Sequence, residues 1–200
     1  MQEKNNTIEY YDNNARAFAE GTESIEFSAV DDRFLKNLSK GALILDLGCG
    51  AGRDTKYFLE HGFFVDAVDG SEEMCRIASE NTGTKVRQML FQEFNETEKY
   101  DGIFACASLL HLKKDELPDM FFRIQKALKN NGIFYCSFKY GDFEGEKNDR
   151  YFTYLTKETL REILDKVTGF SIIDEWISSD ARKGREDEKW VNVICRKRYQ

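Results

Sequence analysis

The chain has 200 residues, of which 41% are hydrophobic and 32% charged, a balance typical of a globular protein with a substantial core. The net charge of −7 argues against a nucleic-acid backbone as the main partner. No apolar stretch approaches the roughly 18 residues that a membrane span needs, and the polar start Met1–Asn6 lacks the apolar core of a signal peptide, so we expect a cytoplasmic protein without membrane contact.

Strand-like and helix-like segments alternate along the chain. Apolar residues at helical spacing predict helices over 8–20, 28–38, 53–61, 72–80, 116–129 and 157–167. Apolar runs predict strands over 42–47, 63–68, 85–90, 100–107, 132–138, 170–177 and 190–196. The last two strands follow each other without a helix, so we expect them to pair antiparallel. The pattern predicts an α/β three-layer sandwich around a seven-stranded, mostly parallel sheet with an antiparallel last strand.

No linker or repeat divides the chain, so we expect residues 1–200 to form a single domain with residues 1–40 as an N-terminal helical cap. The alternation breaks at residues 139–154, which are polar, aromatic and interrupted by glycines. This segment is interpreted as a long loop that acts as a lid, with a solvated loop as the alternative.

The five cysteines lie far apart and include no Cys-x-x-Cys pair, which indicates neither a zinc site nor a redox pair. We therefore expect free thiols in a reducing cytoplasm and no metal centre. The cysteines are Cys49, Cys75, Cys106, Cys136 and Cys195.

The most informative segment is 42–52, where an apolar strand is followed by glycine at every second position. Gly48, Gly50 and Gly52 let the backbone turn sharply and let a ligand approach the main chain closely. The predicted helix over 53–61 comes next. Strand, glycine loop and helix therefore stand in the order that Rossmann-like nucleotide-cofactor folds use.

Asp69 ends the second strand, 21 residues after Gly48. An acid at this place accepts hydrogen bonds from the ribose hydroxyls of adenosine-bearing cofactors. A dinucleotide fingerprint needs the glycine pattern G-x-G-x-x-G. Here Arg53 occupies the position of the third glycine, which weakens the dinucleotide interpretation.

Four segments, in this order, resemble the motifs of class I S-adenosylmethionine-dependent methyltransferases. The segments are Leu45–Gly52, Val65–Ser71 together with Met74, Tyr100–His111 and Leu128–Phe134. The resemblance covers roughly residues 8–140, and the variant at 52–54 is somewhat like the tellurite-resistance-type branch. It implies a Rossmann-like fold, S-adenosylmethionine as cofactor and S-adenosylhomocysteine as product. It does not specify the methyl acceptor.

The resemblance also implies roles for the matched positions. The backbone of Gly48, Cys49 and Gly50 would follow the methionine part of the cofactor. Asp46 would lie near its amino group and Arg53 near its carboxylate. The remaining implied contacts are Asp69 to the ribose, Gly70 and Met74 beside the adenine, Gln92 or Glu93 near the adenine amino group, the carbonyl of Ala107, and Tyr11 or its neighbour Tyr10 closing over the site.

Methyl transfer from a sulfonium is an in-line displacement that needs alignment and a dry pocket, so no catalytic residue is obligatory. His111 follows the fourth strand at its cofactor-facing end and is the candidate general base, with a pocket-wall role as the alternative. The candidate substrate contacts, each with packing or solvation as its alternative, are Lys139, Tyr140, Arg150, Tyr151, Arg182 and Trp190.

These patterns favour metal-independent methyl transfer to an oxygen, nitrogen or other soft atom of a small molecule. No proline or acid occupies residues 105–108 after the fourth strand, unlike in DNA amino-methyltransferases and metal-dependent catechol-type enzymes. Two alternatives stay open, an NAD-dependent oxidoreductase on a similar sheet and a non-catalytic S-adenosylmethionine-binding module. The sequence does not indicate an oligomeric state.

Overall fold

The computed structural model describes residues 6–23 and 25–198, so residues 1–5 of the predicted cap lie outside the described part of the chain. None of the described helices combines the length and apolar character that crossing a membrane requires. The helices are α1 (Asn6–Glu23), α2 (Ser28–Leu35), α3 (Arg53–Glu60), α4 (Glu72–Thr82), α5 (Leu117–Ala127) and α6 (Lys157–Asp165). The strands are β1 (Leu43–Leu47), β2 (Phe64–Asp69), β3 (Arg87–Gln88), β4 (Tyr100–Ala105), β5 (Leu128–Lys139), β6 (Glu144–Lys147), β7 (Arg150–Thr153), β8 (Phe170–Ser179) and β9 (Lys189–Lys197).

The central sheet has seven strands in the order β3-β2-β1-β4-β5-β9-β8. β1 pairs in parallel with β2 and β4, β2 with β3, and β4 with β5, whereas β9 runs antiparallel to both β5 and β8. The predicted mostly parallel sheet with an antiparallel last strand is therefore confirmed.

Alternating side chains of β4 pack in opposite directions, which produces the three layers. Ile103 belongs to an apolar cluster that includes Phe121 of α5. Its neighbour Phe104 points the other way, with its ring centroid 5.1 Å from that of Phe34 on α2 and 5.0 Å from that of Phe58 on α3. Burial of each such side chain contributes about 1.5–3 kcal/mol, so both helical layers are fastened to the sheet.

The strand order reverses between β1 and β4. From β1 the chain proceeds outward through β2 and β3, and it then returns to place β4 on the other side of β1. In open α/β sheets a ligand crevice forms at such a point, outside the carboxyl ends of the strands. The loops that follow β1, β2 and β4 meet there.

Residues 139–154 do not form the long irregular loop that the sequence predicts. Glu144–Lys147 and Arg150–Thr153 pair as an antiparallel hairpin. Its two-residue turn places Asn148 and Asp149 at φ of 51° and 59°, the left-handed conformation that a type I′ turn requires. The loop prediction is wrong for these residues, and the lid role stays a prediction.

Several element boundaries also differ from the sequence prediction, and two of the differences have a clear cause. The third strand is reduced to Arg87–Gln88, which pairs with only two residues of β2. The helix predicted to reach residue 129 ends at Ala127, and β5 begins at once with Leu128, opposite Tyr100 of β4. The helix ends where it does because Leu128 pairs with β4. Helical periodicity is a local pattern, so it does not reveal a pairing with a distant strand.

We expect Gly102→Ala to lower the free energy of unfolding by about 1–3 kcal/mol, because overpacking a core strains it. A Cβ at Gly102 would lie 2.8 Å from Cζ of Phe34 and 2.9 Å from Cδ1 of Leu38. The matched control is Gly21→Ala in α1, where a Cβ meets no atom within 4 Å and a gain of roughly 0.5–1 kcal/mol is expected. Urea denaturation measures both, and equal stability of the two variants would contradict this packing.

Candidate functional site

A cavity of about 550 Å³ opens at the carboxyl ends of β1, β2 and β4. Side chains from α1, α3, α4, the β6–β7 hairpin and the β8–β9 connection complete its wall. Most of the residues singled out in the sequence line it, namely Tyr11, Gly48, Cys49, Gly50, Arg53, Asp69, Gly70, Met74, Gln92, Ala107, His111, Lys139, Arg150, Tyr151, Arg182 and Trp190.

The glycine loop after β1 is held by its own backbone. The N–H groups of Gly48 and Cys49 both donate to the carbonyl of Val68, at 2.9 and 3.0 Å. Gly48 has a φ of 82°, and a Cβ there would lie 2.4 Å from Cβ of Ser108, so no other residue fits without displacement. Glycine therefore brings the loop against the neighbouring β4 loop and leaves the cavity side open.

Asp69 connects this loop to the start of α4. One carboxylate oxygen accepts from the N–H of Gly50 at 2.9 Å, and the other accepts from the N–H of Ser71 at 2.9 Å. Burial raises the pKa of Asp69, and these backbone donors act in the opposite direction. The backbone of Gly70 also acts on this carboxylate, so two or three of its roughly four lone-pair positions are used and acceptor capacity for a hydroxyl donor is left.

The wall near Asp69 is apolar and tightly packed. Met74 is 1% exposed on α4, whose start is capped by Oγ of Ser71. A Cβ at Gly70 would lie 2.6 Å from Cδ1 of Ile8, so α1 packs directly on this glycine. Of the two candidates near the adenine, Gln92 lines the cavity. Glu93 does not, because its carboxylate accepts from the N–H of Leu90 at 2.8 Å and closes a local turn.

Asp46 does not line the cavity as the sequence analysis expected. It is 2% exposed, and its carboxylate accepts from Oγ1 of Thr55 at 2.5 Å beneath the loop. Arg53 does line the cavity, but its guanidinium binds both oxygens of Asp54, at 2.6 and 3.0 Å, and lies 4.2 Å over the ring of Phe27. Any ligand carboxylate at Arg53 would therefore share it with Asp54.

Three carboxyl groups lie close together below this part of the cavity, on Asp31, Asp46 and Asp54, with Arg53 as their cation. Burial, followed by the charge of Asp54, raises the pKa of Asp31 and of Asp46 well above the usual carboxyl range. Oδ1 of Asp31 is buried and has no hydrogen-bond partner among the described residues. A protonated carboxyl is the form that this environment favours.

His111 and Tyr11, which also line the cavity, form a hydrogen-bonded pair. Nδ1 of His111 lies 2.7 Å from the carbonyl of Tyr151, and Nε2 lies 3.0 Å from the hydroxyl of Tyr11. A carbonyl only accepts, so Nδ1 carries the proton and Nε2 accepts from Tyr11. Burial lowers the pKa of His111 to about 4 and raises that of Tyr11, so both groups are neutral near pH 7.

The remaining wall carries cations that are mostly neutralised. Arg182 binds both oxygens of Asp180, which also accepts from the indole N–H of Trp190 at 3.1 Å. Burial raises the pKa of Asp180, but these hydrogen bonds outweigh it and bring the value down to about 2. Lys139 pairs with Glu188.

Tyr140 does not contribute to the cavity, contrary to expectation. Its backbone N–H donates to the carbonyl of Lys189, and it bridges in parallel to Leu155. The side chain is 43% exposed. The backbone path beyond β5 therefore places Tyr140 outside the lining residues, although its neighbour Lys139 belongs to them.

Comparisons with known proteins identify this arrangement. Residues 44–132 match the family described as a methyltransferase domain, and this span contains the glycine loop, Asp69 and the loop after β4. Residues 44–132 therefore carry a methyltransferase domain, and the fold of the chain is that of S-adenosylmethionine-dependent methyltransferases. S-adenosylmethionine is the methyl donor that these methyltransferases use, and S-adenosylhomocysteine is the product they release.

The curated relatives match the methyltransferase domain only in part. "Putative methyltransferase YqeM" of Bacillus subtilis (strain 168) is 34% identical over 105 residues, which is 48% of this chain and 42% of that protein. "Putative methyltransferase GWCH70_2453" of Geobacillus sp. (strain WCH70) is 34% identical over 97 residues, or 45% of this chain and 39% of that protein. The matched regions thus span less than half the length of these relatives.

Solved structures share the fold over nearly the whole methyltransferase chain. The 1,6-didemethyltoxoflavin-N1-methyltransferase of Burkholderia thailandensis, with bound 1,6-didemethyltoxoflavin and S-adenosylhomocysteine, has a TM-score of 0.74 at 24% identity and covers 95% of this chain and 85% of its own. The magnesium protoporphyrin IX methyltransferase of Synechocystis PCC 6803, with bound S-adenosylhomocysteine, has a TM-score of 0.74 at 17% identity and covers 95% and 97%. At these identities the likeness concerns the fold.

The cavity of this methyltransferase domain fits an adenosine sulfonium. Gly48 leaves room against the backbone where a Cβ would collide, and Asp69 presents free acceptor positions. Asp54 and Phe152 also line the cavity but were not singled out in the sequence. The sequence does indicate Asp54, because an acid directly after Arg53 at a helix start is placed to pair with it. Phe152 can be recognised as a lining residue only once the hairpin is known.

We expect His111 to be neutral and protonated on Nδ1 at pH 6, because its burial disfavours the imidazolium and the Tyr151 carbonyl requires a donor. Long-range ¹H–¹⁵N spectra of the imidazole measure this directly. The tautomer should persist in Tyr11→Phe, which removes only the Nε2 partner. An imidazolium at pH 6, or a proton on Nε2, would contradict the geometry.

We expect Asp31→Asn to stabilise the protein at pH 8 by about 1–2 kcal/mol. The folded state holds the Asp31 proton to higher pH than the unfolded chain does, so this group makes wild-type stability fall as pH rises above about 4. Asparagine cannot titrate, so the gain should shrink towards pH 5. The exposed neighbour supplies the control, Asp32→Asn. Identical pH slopes of wild type and Asp31→Asn in urea denaturation would contradict the account.

Proposed function

We propose that the protein transfers a methyl group from S-adenosylmethionine to a small-molecule acceptor without a metal. The observation that carries this proposal is one cavity that is lined both by Asp69 with the glycine loop and by the Tyr11–His111 pair. When bound, S-adenosylmethionine supplies an electrophilic methyl group on a sulfonium. The protein has to hold that group in line with the acceptor and keep water away.

Different parts of the cavity wall suit the ribose, the adenine and the methionine part of the cofactor. We assign the ribose hydroxyls to Asp69, whose free acceptor positions face the cavity, and the adenine to the apolar wall at Gly70 and Met74. The backbone of Gly48 to Gly50 is assigned to the methionine part. The carboxylate of the methionine part is assigned to Arg53, shared with Asp54.

The same geometry disfavours the NAD-dependent alternative. A dinucleotide places its pyrophosphate at the N-terminus of the helix after the glycine loop. Here that helix begins with Arg53 already paired to Asp54, and Asp46 is buried directly below. A doubly charged pyrophosphate would meet acidic side chains instead of free donors.

A small acceptor is favoured because α1 and the β6–β7 hairpin close over the cavity. The hydroxyl oxygen of Thr7 in α1 accepts from the N–H of Tyr151 at 3.0 Å, and Tyr11 of α1 reaches His111. A nucleic acid would have to displace these contacts, so we propose no nucleic-acid substrate. The five cysteines are free, which is consistent with the proposed cytoplasmic location.

We assign His111 the role of proton acceptor. Its unprotonated Nε2 faces the hydroxyl of Tyr11, so an acceptor O–H or N–H that displaces this hydroxyl finds a neutral base in place. The Tyr151 carbonyl fixes the ring orientation and the tautomer through Nδ1. A pKa near 4 makes this base weak, so it suits an acceptor whose proton becomes acidic as the methyl group transfers.

We expect Asp69→Asn to weaken S-adenosylhomocysteine binding at least about tenfold, because one good charge-assisted acceptor is worth ~1.4 kcal/mol or more. Asp66 lies on the same strand but faces away, where it accepts from Tyr100 and pairs with Lys99. Asp66→Asn is therefore the control and should retain wild-type affinity. Calorimetric titration of both variants measures this, and an unchanged affinity in Asp69→Asn would remove the ribose assignment.

The decisive test of function combines binding with transfer. S-adenosylmethionine and NADH are each titrated calorimetrically, and methyl-labelled S-adenosylmethionine is then incubated with the protein and a filtered small-molecule extract. We expect micromolar binding of S-adenosylmethionine, none of NADH, and label in a small product. No S-adenosylmethionine binding at millimolar ligand would refute the proposal. Binding with no transfer in any extract would leave a binding module or another reaction, as the [4+2]-cyclase SpnF, with a TM-score of 0.76, illustrates for this fold.

A further inference from the structure

Arg150 is the first residue of β7, and its guanidinium forms part of the cavity wall. Aromatic rings surround it, with the guanidinium carbon 4.3 Å from the ring centroid of Tyr10, 5.0 Å from that of Phe152 and 5.7 Å from that of Tyr11. This surrounding is apolar, and it leaves the planar cation with few hydrogen-bond acceptors.

Arg150 differs in charge balance from the other part-buried cations of the cavity. Arg53, Lys139 and Arg182 each contact a carboxylate. No described carboxylate lies within ion-pair distance of Arg150, and its buried Nε has no acceptor among the described residues. Its one described hydrogen bond is a long one, from Nη1 to the hydroxyl of Tyr11 at 3.5 Å. Most of its five donors therefore have no partner among the described residues, and the residue lines the cavity.

The β6–β7 hairpin determines the backbone position of Arg150. Arg150 follows the Asn148–Asp149 turn and pairs with Lys147 across the hairpin. The next residue, Tyr151, donates its N–H to Thr7 and accepts from His111. Arg150 is thus built into the strand that orients the histidine, and the rings on either side restrict its motion.

We propose that Arg150 binds a planar oxyanion, a carboxylate, on the methyl acceptor, and so directs the neighbouring nucleophilic atom towards Tyr11 and His111. This inference rests on the proposed methyl transfer. A guanidinium holds a carboxylate through two parallel N–H···O bonds, which fixes orientation as well as position. No described carboxylate pairs with Arg150, so a ligand carboxylate would neutralise a cation that is otherwise unpaired in a poorly solvated part of the wall.

The anion is tested on the S-adenosylhomocysteine complex of the full chain, with the Nε–H resonance of Arg150 assigned by its loss in Arg150→Ala. Acetate and benzoate are the probes, and acetamide and benzamide are their uncharged counterparts. We expect saturable shifts of the Arg150 resonance with at least one carboxylate and none with the amides. The Nε–H of Arg182, already paired to Asp180, is the internal control and should not move. No saturable shift with either carboxylate, or equal shifts with the amides, would overturn the inference.

Variants of Arg150 distinguish binding of the acceptor carboxylate from binding of the cofactor. We expect Arg150→Ala to lose carboxylate affinity at least tenfold, Arg150→Lys to retain part of it, and the exposed hairpin control Lys147→Ala to lose none. A tenfold loss of S-adenosylhomocysteine affinity in Arg150→Ala would instead assign Arg150 to the cofactor and refute the inference. If the wild type binds no S-adenosylhomocysteine at all, the proposed function itself fails, which the initial calorimetric titration reveals before any anion is added.

Discussion

The site depends on a single carboxylate that bonds to two loops at once. Asp69 ends β2, accepts from Gly50 of the glycine loop and accepts from Ser71 at the start of α4. Glycine allows the loop to approach this carboxylate and the β4 loop, where a side chain on Gly48 would collide. Because these donors are in place before a ligand arrives, the carboxylate needs little reorganisation to accept ribose hydroxyls. Other carboxyl groups near this loop are less easily ionised. Burial, together with the charge of Asp54, raises the pKa values of Asp31 and Asp46 and favours their protonated forms.

The part of the cavity around His111 is built from elements that are distant in sequence. α1 contributes Tyr11, the loop after β4 contributes His111, and the hairpin contributes the Tyr151 carbonyl and Arg150. One hydrogen-bond chain therefore connects the N-terminal helix, the sheet and the hairpin. His111 is thus held by partners from two of these elements, since α1 provides the Tyr11 hydroxyl and the hairpin provides the Tyr151 carbonyl.

The cavity wall at the glycine loop was predictable from the sequence, and the wall around His111 only in outline, for a physical reason. The glycine spacing and the acid at Asp69 are local backbone requirements, so they are visible as residue types at fixed intervals. The mostly parallel sheet with an antiparallel last strand followed in the same way from apolar runs and helical periodicity. By contrast, residue types at fixed intervals do not show which partner a side chain takes: Asp46 binds Thr55, and Glu93 closes a turn with Leu90. The outward path of Tyr140 depends on backbone pairing with Lys189 and Leu155, which lie elsewhere in the sequence. The hairpin was missed because β6 is polar throughout and β7 is only four residues long, so neither strand shows apolar alternation on the two sides of the Asn148–Asp149 turn.

The central claim is that this cavity holds the cofactor with its ribose at Asp69 and its sulfur towards Tyr11 and His111. A crystal structure of the protein with S-adenosylhomocysteine tests it most directly. The account predicts both ribose hydroxyls within hydrogen-bond distance of the Asp69 carboxylate, and the sulfur atom facing the Tyr11 hydroxyl. Ribose density bonded elsewhere, or a sulfur that faces away from the Tyr11–His111 pair, would contradict it.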